Sequence, residues 1–150
     1  MIVLIVLLLS LMVFRGMGAL GVEALASWPA ATRFSLATTL LLTASAHFTK
    51  MKEDLIRMVP DWVPWPRAVV YLTGLFELAG AAGLLILSLR LAAGIALIVF
   101  FILVFPANVK AAQSGVGLGG KPATPLWLRL PMQLLFIALT FWSAVWSRSQ

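Results

Sequence analysis

The chain of 150 residues is 62% hydrophobic and only 11% charged, and its mean hydropathy is +1.04. Soluble domains are roughly half apolar and about a quarter charged, so this composition excludes a water-soluble fold and predicts an integral membrane protein. The length predicts one transmembrane domain over 1–150, without a separate soluble catalytic domain. The net charge of +6 is typical of a basic membrane rim and does not indicate nucleic-acid binding.

The residue types present limit metal and cofactor chemistry. The chain contains no cysteine and a single histidine. Disulfides, thiolate metal sites and iron–sulfur clusters are therefore excluded, and one histidine cannot supply a bis-histidine haem site. No metal or haem is expected from this chain alone.

Five segments approach the length of about 20 apolar residues that a spanning helix needs. They cover 2–25, 30–48, 68–89, 91–111 and 125–146. No basic residue precedes the first apolar run, so we interpret it as a span and not as a cleaved signal peptide. Arg15 interrupts this span and lies about two turns from Glu23, near enough to share a polar environment. The simpler interpretation is that Arg15 snorkels or packs against other helices.

The segments between the spans differ in kind. Residues 49–66 alternate charged and apolar side chains, which predicts a short amphipathic helix at the membrane interface. Residues 113–122 are rich in glycine and predict a flexible loop. Thr124 is then the expected N-cap of the last helix, with Pro125 as its first residue.

The basic residues predict the orientation of the chain. Five alternating spans place one large group of basic residues on the first rim: Lys50, Lys52, Arg57, Arg67, Lys110, Lys121 and Arg129. Only Arg33, Arg90 and Arg148 fall on the other rim. The positive-inside rule therefore predicts a cytoplasmic N-terminus.

Five polar residues fall in the half of the predicted bundle next to the first rim: His47, Glu77, Asn108, Arg129 and Gln133. They predict a polar cavity that opens to this rim, and all five are candidate ligand-binding residues. Glu77 and His47 are also candidates for catalytic acid–base chemistry. The alternative, that these side chains only join helices through hydrogen bonds, stays open for each of them.

Glu77 is the deepest of the five, about ten residues into its helix or about 15 Å from the rim. It shares a helix face with Gly80 and Ala81, and small residues mark where membrane helices approach closely. Glu77 is therefore predicted to point into the bundle, with Arg129 or His47 as its partner.

From about Arg33 to Trp142 the chain resembles the DoxX-like family of small bacterial membrane proteins. Five stretches carry the resemblance: Ala44–Thr49, Asp54–Pro60, Tyr71–Gly80, Phe105–Asn108 and Arg129–Gln133. The resemblance implies a four-helix transmembrane bundle over 30–147 in a bacterial cytoplasmic (inner) membrane, here preceded by an extra helix over 2–25. The predicted fold is therefore an all-α membrane protein with five spans.

The same resemblance implies a connection to quinones. The relatives that give the family its name look like membrane subunits of a thiosulfate:quinone oxidoreductase, and others are partners of soluble redox enzymes. It supplies no catalytic mechanism.

The sequence leaves several functions open. The first is an accessory subunit that binds a quinone or lipid among the five polar residues and receives electrons from another protein. The second is a structural or assembly subunit that docks a membrane or soluble redox partner through 49–66, or that forms a homo-oligomer. The third is an intramembrane enzyme that uses Glu77 and His47 on a lipid-like substrate, although a stand-alone enzyme is less favoured. A proton-coupled transporter is disfavoured because the sequence has no internal repeat.

Overall fold

The helices form one bundle in the computed structural model, which describes residues 2–148. They are α1 (Ile2–Ala19), α2 (Trp28–Phe48), α3 (Lys52–Met58), α4 (Pro66–Leu85), α5 (Arg90–Leu103), α6 (Phe105–Gln113) and α7 (Leu126–Thr140). A 3-10 turn (Glu23–Leu25) precedes α2, and α7 continues into a π-helical segment (Phe141–Val145) and a final 3-10 turn (Trp146–Arg148). The side chain of Arg148, assigned to a rim above, lies outside the described residues.

Four helical segments of the described chain are long and apolar enough to cross a membrane. They are Ile2–Ala19, Pro66–Leu85, Arg90–Gln113 and Leu126–Val145. The prediction of an all-helical, multi-pass membrane protein is therefore confirmed at this level. The segment 30–48, predicted as a further span, lies in α2, which has 21 residues but is not one of the four because polar side chains interrupt its apolar residues.

α2 lies at the centre of the bundle, where it packs against α1, α4 and the π-helical segment. Twelve of its residues are buried, and its hydroxyl groups find partners inside the protein. Ser35 Oγ donates to the Leu7 carbonyl of α1 at 2.5 Å and lies 2.8 Å from Ser10 Oγ. The most polar of the long helices is thus enclosed by more apolar ones.

Small residues allow the helices around α2 to approach each other closely. A Cβ atom added at Gly83 of α4 would lie 2.6 Å from the Cβ of Ala93 on α5. One added at Gly94 of α5 would lie 2.8 Å from the Cβ of Ala144 in the π-helical segment. Such distances are too short for carbon atoms in contact, so only glycine is compatible with these spacings.

The N-terminal helix is shorter than the sequence predicts. α1 ends at Ala19 and not at Leu25, and Glu23 belongs to the separate 3-10 turn. Arg15 therefore lies near the end of α1, where its guanidinium carbon is 5.3 Å from the centre of the Trp28 ring. The interpretation that Arg15 packs against another helix is confirmed.

The span predicted over 91–111 consists of two helices that meet at Val104. Pro106 has no N–H to donate to the Ile102 carbonyl, so a continuous α-helical hydrogen-bond ladder cannot pass this point. The amide of Val104 instead donates to the Phe100 carbonyl at 3.0 Å, and the amide of Asn108 donates to the Val104 carbonyl at 3.2 Å.

The connecting segments agree in part with the sequence predictions. α3 is the predicted amphipathic helix, but it covers only Lys52–Met58. The glycine-rich loop contains three glycines with positive φ, at Gly115, Gly119 and Gly120. The capping prediction is wrong, because Pro125 occupies the N-cap position without a side-chain hydrogen bond and α7 begins at Leu126.

The substitution Gly83→Ala tests the close approach of α4 and α5. The new methyl group would overlap the Ala93 Cβ, which is fixed to its backbone, so we expect a loss of about 1–3 kcal/mol in unfolding free energy. The matched control is Gly16→Ala on the exposed face of α1, where an added Cβ meets no atom within 4 Å. Unfolding in mixed detergent micelles measures both variants, and equal stability of Gly83→Ala and the wild type would contradict the packing.

Candidate functional site

Glu77 lies on the face of α4 that packs against α2. The other buried residues of this face include Val70, Gly74, Ala81 and Leu84, and Glu77 itself is only 9% exposed. A Cβ atom added at Gly74 would lie 2.6 Å from the Cβ of His47, so the glycine leaves the space that His47 occupies beside α4. The prediction that Glu77 points into the bundle is confirmed.

The partners of the Glu77 carboxylate both come from α2. Thr43 Oγ1 donates to Glu77 Oε2 at 2.7 Å, and His47 Nε2 lies 3.6 Å from Glu77 Oε1. Thr43 and His47 are four residues apart and therefore share a helix face. Of the two partners predicted for Glu77, His47 is confirmed and Arg129 is wrong. We call His47 and Glu77 the His47–Glu77 pair.

A backbone carbonyl fixes the orientation of the His47 ring. His47 Nδ1 lies 2.6 Å from the Val70 carbonyl oxygen, which can only accept, so Nδ1 carries a hydrogen. Thr73 Oγ1 donates to the same oxygen at 2.9 Å and lies 3.3 Å from Nδ1. The other ring nitrogen, Nε2, then faces Glu77. A single proton between these two groups gives either an imidazolium–carboxylate or an imidazole–carboxylic acid pair.

The remaining three predicted residues form a second cluster, which we call the amide cluster. Arg129 NH1 donates to Asn108 Oδ1 at 3.0 Å, and Asn108 Nδ2 donates to Gln133 Oε1 at 3.1 Å. Gln133 Nε2 donates to the Phe101 carbonyl at 2.7 Å, and Arg129 Nε donates to the Thr124 carbonyl at 2.8 Å. These bonds join α7 to α5, α6 and the loop before α7.

The five predicted residues therefore lie in two places. Within residues 2–148, no hydrogen bond or ion pair connects the amide cluster to the His47–Glu77 pair. The side chains of the amide cluster use their hydrogen-bonding capacity mainly on one another and on backbone carbonyls. For Asn108 and Gln133 the contacts therefore agree with the alternative of helix joining.

A groove between α4 and α5 is lined in part by Thr73, which contacts Nδ1 of His47, while His47 and Glu77 themselves do not line it. It has a volume of about 450 Å³, and apart from Thr73 its lining is apolar: Val69, Leu72, Phe76, Ala96, Val99, Phe100 and Leu103. Leu72 and Leu103 are 64% and 71% exposed, so the groove opens sideways on the outer surface of the bundle. Thr43 and Thr73 were not among the predicted site residues. The signal that could have found them is their spacing, since each lies four residues from a predicted residue, Thr43 from His47 and Thr73 from Glu77.

Comparison with known proteins places most of this chain in one family. Residues 36–144 match the model of a family described as a domain of unknown function, DUF8561. This match covers most of the chain, which therefore belongs to that family, while α1 lies outside the matched region. No curated protein and no solved structure matches the chain. The resemblance to the DoxX-like family stays a prediction.

Nitrogen NMR of tag-free, ¹⁵N-histidine-labelled protein tests the ring orientation, because His47 is the only histidine. We expect a hydrogen on Nδ1 in the wild type and in Glu77→Gln, and an Nε2 signal in the range of an unprotonated nitrogen in the variant, which has no carboxylate beside Nε2. Glu53→Gln is the control, since that carboxylate is half exposed on α3. A neutral His47 with its hydrogen on Nε2 would contradict the contact with Val70.

Proposed function

We propose that this member of a family of unknown function is an accessory subunit of a membrane redox system, and that it binds an amphipathic molecule, a quinone or a lipid, beside the His47–Glu77 pair. One observation supports this proposal most directly. Thr73 contacts the ring of His47 and also lines the apolar groove between α4 and α5. A molecule with its apolar part in the groove would thus bring its polar end next to Thr73, which contacts one member of the buried His47–Glu77 pair.

The chemistry of the pair suits a quinone. Quinone carbonyl groups accept hydrogen bonds, and quinone reduction consumes protons that a positioned acid can supply. The groove provides the apolar surface that a prenyl or acyl chain needs, including the rings of Phe76 and Phe100, whose centres are 5.0 Å apart. The side chains of histidine, glutamate and threonine are not redox-active, so in this proposal a partner protein supplies the electrons that reduce the quinone.

We further propose that α2 crosses the membrane as a fifth span. Its 21 residues correspond to about 31 Å, which matches the apolar thickness of a bilayer. Its polar side chains are compatible with this position because the neighbouring helices enclose them. Five spans would place the N-terminus in the cytoplasm of a bacterium, next to the basic rim.

The partner in this proposal docks near α3. Trp62 and Trp65, which follow α3, are 76% and 79% exposed, and exposed tryptophans are typical anchors of protein and membrane interfaces. The resemblance to the DoxX-like family supports a redox partner, and a second copy of the chain is the alternative occupant.

The His47–Glu77 pair also favours a second candidate function, an intramembrane acid–base enzyme for a lipid-like substrate. The two candidates differ in what Glu77→Gln does. An enzyme would lose turnover of its lipid in this variant while a binding subunit has no turnover to lose, so a lipid converted by the purified wild type alone would favour the enzyme.

Quinone binding by the purified protein tests the main proposal. We expect ubiquinone or menaquinone analogues to raise the melting temperature of the wild type, and Glu77→Gln to weaken this binding about tenfold, because one charge-assisted hydrogen bond is worth about 1.5–3 kcal/mol. Glu53→Gln should bind as the wild type does. Wild-type protein that carries no quinone or lipid in native mass spectrometry, and that no analogue stabilises, would contradict the proposal.

Filling the groove tests where the molecule enters. Leu72→Trp places a large ring in the groove and should reduce quinone binding about tenfold by occupying the space of the tail. Leu75→Trp is the matched control, because Leu75 is exposed on the same helix but does not line the groove. Equal binding by both variants would exclude the groove as the route to the His47–Glu77 pair.

A further inference from the structure

The end of the bundle opposite the basic rim holds a buried arginine without an acidic partner among residues 2–148. Arg33, near the start of α2, is only 9% exposed. Its NH1 group donates to the Ser143 carbonyl at 2.5 Å and to Ser147 Oγ at 3.3 Å. In the described part of the chain, no Asp or Glu lies within ion-pair distance of Arg33. A buried charge without a counter-charge is costly in any protein interior.

Arg90 increases this positive charge. It is the first residue of α5, one turn before Gly94, which packs against Ala144. α5 packs against the π-helical segment that Arg33 contacts, so its first residue, Arg90, adds a second positive charge at this end of the bundle. Arg90 Nε is also buried without a hydrogen-bond partner.

Two further unsatisfied groups lie at the end of α7 and in the π-helical segment that continues it. The hydroxyls of Thr140 and Ser143 are fully buried and have no hydrogen-bond partner. Buried polar groups are nearly always paired, so unpaired hydroxyls in the region that Arg33 contacts indicate a missing polar partner. Short π-helical segments are themselves frequent at functional sites.

We propose that Arg33 and Arg90 bind a phosphate group at the π-helical segment, and that this phosphate belongs to the headgroup of an anionic phospholipid. Guanidinium groups bind phosphate oxygens through paired N–H bonds and neutralise their charge. Both arginines lie near helix starts at one end of the bundle, together with the exposed Trp28 and Trp146. Tryptophans of this kind mark the depth of lipid headgroups.

This phosphate site is separate from the His47–Glu77 pair. Arg33 lies near the start of α2 and His47 near its end, which separates them by almost the whole helix. The phosphate site therefore does not depend on the proposed quinone or lipid at the groove. An experiment can contradict one of the two proposals and leave the other standing.

Lipid retention tests the site. Four proteins are reconstituted in phosphatidylcholine vesicles with and without phosphatidylglycerol: the wild type, Arg33→Gln, Arg90→Gln and Arg15→Gln. Each is then extracted gently, and its bound lipids are identified by native mass spectrometry. We expect the wild type to retain phosphatidylglycerol in preference to phosphatidylcholine, and each of the first two variants to retain about tenfold less, as expected for one lost charge-assisted contact. Arg15→Gln is the control for a third arginine at the same end. Arg15 packs on Trp28 and its Nε, like that of Arg90, has no hydrogen-bond partner, so a site made by Arg33 and Arg90 requires this variant to retain as much phosphatidylglycerol as the wild type.

Two further measurements separate the source of the phosphate from effects on folding. The melting temperature of delipidated protein is measured in inorganic phosphate and, for comparison, in chloride at the same ionic strength. If phosphate stabilises the protein but phosphatidylglycerol is not retained, the phosphate does not come from a lipid. Circular dichroism shows whether the glutamine variants keep their helical fold. The variants Arg33→Lys and Arg90→Lys keep the positive charge and show whether charge alone restores binding. No preference for phosphatidylglycerol and no effect of phosphate, or an equal loss in Arg15→Gln, would overturn the site.

Discussion

A carboxylate inside a bundle of apolar helices has to be held by groups on the neighbouring helices, because lipid offers it neither hydrogen bonds nor charge. Here α2 supplies both partners of Glu77, Thr43 and His47, and Gly74 leaves the space for the imidazole ring. This arrangement fixes the rotation of α2 about its axis and its contact with α4. It also explains why the helix with the most polar side chains lies at the centre and the more apolar helices surround it.

The depth of each polar residue could be predicted from the sequence, but its position around the bundle could not. Rims and helix periodicity place Glu77 and Arg129 in the same half of the membrane, and the small residues on α4 predict that Glu77 faces inward. Which helices are neighbours depends on side-chain packing between distant segments. α4 packs on α2 and α7 packs on α5 and α6, so Arg129 finds Asn108 and not Glu77. The π-helical segment has no sequence signal of comparable clarity, and Arg33 was recognisable only as a rim charge.

The two ends of the bundle treat positive charge differently. At the basic rim, acidic side chains accompany the basic ones: Lys110 Nζ lies 2.6 Å from Asp61 Oδ1, and Arg67 lies 3.7 Å from Glu53. At the other end, Arg33 is paired with a backbone carbonyl and a serine hydroxyl. Several basic side chains at the first end thus have acidic partners, whereas Arg33 has none among the described residues and would gain from an anion supplied by its surroundings.

The contacts of α2 also have a consequence for the order in which the protein assembles during synthesis. Only its bonds to α1, such as Ser35 with Ser10 and Leu7, join it to a segment that precedes it in the chain. Glu77 and Ser143, which bind its His47 and Arg33, leave the ribosome later. A nascent chain that stops before residue 77 lacks the acidic partner of His47 and the carbonyl partner of Arg33, so these two contacts of α2 can form only when the C-terminal half of the chain arrives.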